Sequence, residues 1–241
     1  DGKSIFYISN ESGSDQIWRY DIASATTTQA SNFKTDVSGF KISPDGLKFA
    51  IWGDIARDCM EFGCAKDGDT SKPGPGTGRE YDQLMTRHWD QWETPGNYSR
   101  VFTVVLRADG KLGTLSTAMD GDLVGDAPSK PFGGGDEISW SADSSAVLFA
   151  LRHANANEAK STNLDIYRSA LQNPTPVNLS ADNAGMDTTP AASPDGKWLA
   201  WTLSATLSLT PLLLLYGVNR NLGIPDAFFV AGDDVFLATL G

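Results

Sequence analysis

The chain has 241 residues, 40% of them hydrophobic and 10% aromatic, enough to build a sizeable core. Its 19 basic and 30 acidic residues leave a net charge of −11. That balance argues against nucleic acid, which needs a basic footprint, and against an anionic membrane surface; its simplest consequence is an acidic surface that favours solubility.

The chain opens on Asp1-Gly2-Lys3, the second half of a turn, and runs into the apolar stretch Ile5-Phe6-Tyr7-Ile8. A mature protein would hardly begin in mid-turn, so the sequence is expected to be truncated at its N-terminus and to carry no localisation signal. "DQIWRYD" (15–21) and "TTTQAS" (26–31) read as two further strands of the same unit. "VSGFKIS" (37–43) is a short strand that leads into the complete turn Ser43-Pro44-Asp45-Gly46. Proline presets φ at the second position, Asp suits the third, and Gly accepts the left-handed conformation that follows. Such a turn joins two antiparallel strands through a short, bulged loop. The strand after it, Phe49-Ala50-Ile51-Trp52, is apolar on both faces, as expected of a strand sandwiched between layers.

The next strand, "SRVFTVVLR" (99–107), begins only after an insert of about 45 residues, roughly 54–98. Loops of that length are usually functional or disordered. The insert holds Cys59 and Cys64, the only cysteines. Two thiols without a nearby His make a poor zinc site. A local disulfide, which would imply an oxidising compartment, is favoured over a pair of free thiols in a cytosolic protein. Gly74-Pro75-Gly76-Thr77-Gly78 lacks the Lys-Ser/Thr and helix of a phosphate loop. Asp67-Gly68-Asp69 lacks the later acidic ligand of a calcium loop. Neither supports a cofactor or metal, and none is expected.

"KLGTLS" (111–116) closes that unit, and "GGGDE" (133–137) is the lead-in to the next. Its strands are "DEISWS" (136–141), "AVLFAL" (146–151), "NLDIYRSA" (163–170) and "TPVNLS" (175–180), with a degenerate turn in which Ala142 replaces Pro and Ser144 replaces Gly. "DTTPAAS" (187–193), Ser193-Pro194-Asp195-Gly196 and Lys197-Trp198-Leu199-Ala200-Trp201 begin a fourth unit. The copies start at Asp1, Asp45, Asp143 and Asp195, so the second spacing is long only because of the insert. Four strands per roughly 45 residues is the pattern of a propeller blade, which buries both faces only by stacking on its neighbours. The expected fold is all-β: a partial β-propeller of about four four-stranded blade units over residues 1–202 with one long insert. Residues 203–241 form an atypical tail. A short helix over 207–215, a hairpin across Gly232-Asp233, and a chimeric or frame-shifted end are all compatible with it. Its longest apolar run, Pro211 to Tyr216, is far short of the ~20 residues that span a bilayer.

The repeated "SPDG-K-xx-A-W" phrases resemble the propeller repeats of the prolyl oligopeptidase clan of serine peptidases and those of TolB. The insert separates the two. "CMEFGC" followed by "REYDQLMTRHWDQWETPGNYSRVFTVVL" (79–106) is similar to the insert of acylaminoacyl-peptidase-like and dipeptidyl-peptidase V-like enzymes, through Tyr81, Asp82, Leu84, Arg87, His88, Trp89, Asp90 and Trp92. The resemblance covers about residues 1–202. It implies a seven- or eight-bladed propeller joined to an α/β-hydrolase domain, with peptides cleaved between them in a periplasmic or secreted protein. Tyr81, Arg87, His88, Trp89 and Trp92 then become candidates for contact with peptide or with the hydrolase domain. The alternative, a clasp with the Trp rings buried against a blade and Arg87 paired to an acid, is favoured. A metal or general-base role for His88 is not expected, since no partner of suitable spacing is visible.

No G-x-S-x-G occurs in these 241 residues, and neither His88 nor His153 follows a Ser and an Asp in the order that hydrolase fold requires. No catalytic residue is therefore assigned to the chain. The leading expectation is the substrate-gating propeller portion of a serine peptidase; the alternative is a non-enzymatic, TolB-like scaffold. An open half-ring is further expected to self-associate through uncovered blade faces.

Overall fold

The computed structural model describes residues 2–64, 80–81, 84–88 and 90–204, and the backbone of 235–239. Four antiparallel sheets follow one another along the chain. The first contains β1 (Ser4–Ser9), β2 (Gln16–Asp21) and β3 (Thr26–Gln29) in that order. The second contains β4 (Gly39–Ile42) and β5 (Lys48–Ala56), then β8 (Asn97–Leu106) and β9 (Leu112–Ala118). Between β5 and β8 lies the insert, with its own two-stranded hairpin of β6 (Arg87–His88) and β7 (Gln91–Trp92).

The third sheet is built on β12 (Ala146–His153), β13 (Asp165–Ala170) and β14 (Asn173–Asn178). The short strands β10 (Gly125–Asp126) and β11 (Ile138–Trp140) pair with opposite ends of β12. A 3-10 turn over Gly135–Glu137 delivers the chain into β11. In the fourth sheet β15 (Met186–Ala192) pairs with β16 (Trp198–Ser204), and β17 (Val235–Thr239) pairs along the other edge of β16. The architecture is thus the partial propeller expected; among the described residues only the second sheet has four strands, and the third has five. The first sheet has three described strands. The fourth takes its third strand from the tail; the helix considered over 207–215 and the turn at Gly232-Asp233 lie outside the described residues.

The central strands carry the core on both faces. Successive side chains of a strand point to opposite sides. On β5, Phe49, Ile51 and Ile55 join Ile17, Phe102 and Val104 in a cluster between the first and second sheets, with Phe6 and Ile8 packed on it. Ala50 and Trp52, the residues between them, join Val101, Ile138, Trp140 and Phe149 between the second and third sheets. β12 repeats the arrangement. Val147, Phe149 and Leu151 face the second sheet, while Leu148 and Ala150 face the fourth with Ile166, Leu199 and Trp201. All six β12 residues from Ala146 to Leu151 are fully buried. Close packing explains Gly39: a Cβ there would sit 2.1 Å from the Trp52 ring.

The repeated turn is a side-chain device as well as a backbone one. Ser43 Oγ donates to Asp45 Oδ1 at 2.5 Å and accepts the Lys48 N–H at 3.0 Å. Ser141 with Asp143 and Ala146, and Ser193 with Asp195 and Trp198, repeat both bonds within 0.1 Å. Gly46 and Gly196 take φ of 72° and 71° at the following position. Ser144 holds the same place in the degenerate copy at φ 59°, a conformation unfavourable without glycine. Its hydroxyl offsets that cost by accepting the Asp45 N–H at 3.0 Å across the sheet boundary. Further ties cross the same boundary: Lys41 Nζ donates to Gly135 O and Ile138 O at 2.6 Å, and Trp140 Nε1 donates to Lys41 O at 3.0 Å.

Candidate binding face

The insert connects the second and third strands of the second sheet, β5 and β8. Its root is fixed by Arg100 on β8, which is fully buried. The guanidinium grips Asp120 in two places, Nε to Oδ2 at 2.5 Å and Nη2 to Oδ1 at 2.8 Å. Its remaining nitrogen, Nη1, donates to the carbonyls of Ala56, Arg57 and Cys59 at 3.0, 3.2 and 2.5 Å. Cys59 forms a disulfide with Cys64, with Cα atoms 5.7 Å apart. The start of the insert is therefore tied covalently and by a charged, water-excluded clamp.

The end of the insert is held by Lys130, between β10 and β11 of the third sheet. Its Nζ lies 3.1 Å from Asp54, 3.0 Å from Glu93 and 3.4 Å from Asp126. Glu93 is the crossing point. Its carboxylate also stands 3.3 Å from His88 Nε2, and its backbone carbonyl accepts the Tyr81 hydroxyl at 2.9 Å. Burial, together with the nearby Arg152 and Lys130 cations, holds the His88 pKa down although Glu93 opposes them. Tyr81, His88, Glu93, Tyr98, Asp126 and Glu158 line the cleft enclosed beneath the hairpin.

Arg87 and Trp92 stand opposite each other on the hairpin itself. Tyr81 stacks on Trp92 with ring centroids 6.1 Å apart, and the Arg87 guanidinium lies 5.4 Å above the Trp92 ring. Trp92 is 49% exposed, so this ring is presented to solvent instead of being buried on a blade. Phe132, from the Lys130 connection, is 75% exposed. Trp89 and Asp82 lie outside the described residues, as do the glycine-rich stretch 74–78 and the 67–69 turn. His153 is apart from this group: its Nε2 lies 2.7 Å from the Tyr167 hydroxyl. Sequence reasoning did not find Lys130, Glu93, Asp126 or the Arg100–Asp120 pair. The available signal was Arg100 itself, a lone charge inside the apolar run of a central strand, which must be paired if buried.

Three carboxylates share the single Lys130 ammonium, and the most buried of them, Asp126, is the hardest to ionise. Burial raises the Asp126 pKa to about 7, against the pull of Lys130 and of the Ser99 N–H, which donates to it at 2.7 Å. Lys130 is held above its ordinary value by Asp126, Asp54 and Glu93 despite its own burial. Glu137, Glu158 and Asp187 are raised as well, each chiefly by burial. A raised carboxylate favours folding most below its unfolded pKa and loses that contribution as pH climbs through the folded value. Stability should therefore be higher at about pH 5 than at about pH 8, by on the order of 1 kcal/mol or more, with His88 opposing the trend. Asp45 and Asp143, lowered to about 2, act in the reverse sense and lose their contribution on further acidification. Denaturant midpoints at both pH values would check this, and Asp126→Asn should flatten the slope.

Among the described residues, no group of three or more His, Cys, Asp or Glu could hold a metal, and no helix is long and apolar enough to cross a membrane. The fold resembles solved propeller structures. With Pyrococcus horikoshii acylaminoacyl peptidase the TM-score is 0.52 at 11% identity, over 86% of this chain and 27% of that one. With a putative TolB from Agrobacterium tumefaciens it is 0.51 at 13% identity, over 100% of this chain and 58% of that one. No family model matches the chain. Fold and repeats together define the class: a partial β-propeller. More particularly, the chain is a homologue of the proteins named dipeptidyl-peptidase 5. It is 34% identical to that of Porphyromonas gingivalis over 204 residues, which is 83% of this chain and 28% of the relative. The chain thus spans about 28% of the length of these curated relatives.

Proposed function

We propose that the chain is the substrate-gating and substrate-binding propeller portion of a serine peptidase, in which an α/β-hydrolase domain outside these residues hydrolyses oligopeptides. The sequence relationship to the dipeptidyl-peptidase 5 proteins carries this reading. The insert supports it: a hairpin tied to Lys130 through Glu93 borders a cleft lined by Glu93, Asp126 and Glu158, and its Trp92 is half-exposed. An exposed aromatic ring of this kind suits contact with a peptide or a second domain. The Cys59–Cys64 disulfide supports a periplasmic or secreted setting.

The test is made on the longer protein that contains this chain. Lys130→Met, which releases Glu93, should change the preference between dipeptidyl substrates and longer peptides by about tenfold in kcat/KM. An intact protein without peptidase activity, or a size preference untouched by Lys130→Met and Trp92→Ala, would overturn the proposal.

The same reading leaves the outer faces of the first and fourth sheets to be covered by further blades. Ile5 and Trp198 on them are 54% and 37% exposed. The 241 residues in isolation should self-associate, and a monodisperse monomer in sedimentation velocity would contradict that expectation.

A further inference from the structure

The hairpin of β6 and β7 cannot fix its own position. Each strand has two residues, and the ladder pairs Arg87 with Trp92 and His88 with Gln91. An isolated two-stranded hairpin is marginal in water even when longer, so its place depends on side chains that tie it to the sheets. Glu93, the residue after β7, supplies such a tie. Its Oε2 lies 3.0 Å from Lys130 Nζ, and its Oε1 lies 3.3 Å from His88 Nε2.

Lys130 is shared, and the groups that share it come from several segments. Asp54 on β5 and Asp126 on β10 compete with Glu93 for the ammonium. Arg152 on β12 stands 3.7 Å from Glu158, in the 3-10 turn Glu158–Lys160, and its charge also reaches His88. Tyr81 and Tyr98 line the same cleft. With all of these carboxylates ionised and His88 neutral, four anions face two fixed cations. Protonating Asp126 and charging His88 brings the two signs level.

The competition is unequal. Asp126 is 4% exposed and is fixed by the Ser99 N–H at 2.7 Å, whereas Glu93 rides on the hairpin. Once Asp126 is charged, the ammonium is drawn toward the buried carboxylate, and Asp126 and Glu93 repel each other. Asp126 makes this change near neutrality, at about 7, while His88, held down by burial, gains its charge only on the acid side. Both changes act in one sense: acid strengthens the ties through Glu93, and alkali weakens them.

We propose that this cluster is a pH-sensitive latch, which holds the β6–β7 hairpin against the sheets in mildly acidic solution and releases it in mildly alkaline solution. The test is hydrogen exchange by mass spectrometry on the longer protein that contains this chain. It is run at about pH 5.5 and about pH 8.5, with times scaled for the pH dependence of the intrinsic rate. The reporters lie in residues 86–97 and include the Glu93 N–H, which donates to Thr86 O at 3.0 Å. They should exchange about tenfold faster at the higher pH, at times when β12 has taken up no deuterium. Asp126→Asn, which cannot ionise, should remove most of that difference. Glu93→Gln should leave the segment fast at both pH values, and it decides alone if Asp126→Asn does not fold. Equal exchange at the two pH values in the unaltered protein would overturn the proposal. So would labelling of β12 in step with the hairpin, a full pH difference retained in Asp126→Asn, or Glu93→Gln as slow as the unaltered protein at about pH 5.5. Peptidase activity is not the readout, so failure here leaves the proposed function untouched.

Discussion

Arg100→Leu should be the most damaging single substitution in the insert-bearing sheet, lowering stability by about 3–5 kcal/mol. The loss has two sources. Asp120, 2% exposed, would be left as an uncompensated buried carboxylate, and the carbonyls of Ala56, Arg57 and Cys59 would lose their shared donor. Asp120→Leu in the Arg100→Leu background should recover part of the deficit, because an ion pair replaced whole by apolar groups is often close to neutral. It should not recover all of it, since the three carbonyls stay unpaired. A double-mutant cycle by urea denaturation measures both numbers. If Arg100→Leu cost less than about 1 kcal/mol, the clamp would have no energetic role.

Leu148→Ala and Phe149→Ala should both be severe, at about 2–5 and 3–5 kcal/mol, although the residues are consecutive on one strand. In a sheet with one wet face, adjacent positions alternate between costly and nearly neutral. Here Leu148 packs against Leu199 and Trp201 of the fourth sheet, while Phe149 lies 5.8 Å from the Tyr167 ring in the cluster with Trp52 and Trp140. Truncating either empties a different, fully enclosed contact. The two effects should also add to within about 0.5 kcal/mol, because the cavities open on opposite faces of the sheet. Equilibrium unfolding of the two single variants and the double variant checks both statements.

Much of the fold was legible in the sequence because its determinants are local. Ser43-Pro44-Asp45-Gly46 encodes its own hydrogen bonds within six residues, and Phe49-Ala50-Ile51-Trp52 shows two-sided burial directly. The degenerate turn was legible as a copy, but the reason for Ser144 was not, since its partner is the Asp45 N–H, 99 residues away in sequence. The candidate face was legible only in outline. The resemblance pointed to Arg87, His88 and Trp92, which lie on one hairpin, and to Tyr81, which stacks on Trp92. The residue that fastens that hairpin, Lys130, is 37 positions from Glu93 and follows an unremarkable Pro-Ser stretch. Nothing in its neighbours marks it, because its three carboxylates come from separate segments that only the stacked sheets juxtapose. The open side of Trp92 was likewise invisible, as an indole in a loop reads equally well as packed or presented.

The central claim is that separate sheets stand face to face, so that the first sheet has one covered side and one open side. Comparing Ile5→Asp with Phe6→Asp tests it most directly. Phe6 sits 5.0 Å from the Phe49 ring in the first inter-sheet cluster, whereas its neighbour Ile5 points the other way and is 54% exposed. In denaturant unfolding, Phe6→Asp should cost more than about 3 kcal/mol and Ile5→Asp less than about 0.5 kcal/mol. Equal losses at the two positions, or a larger one at Ile5, would contradict the face-to-face arrangement.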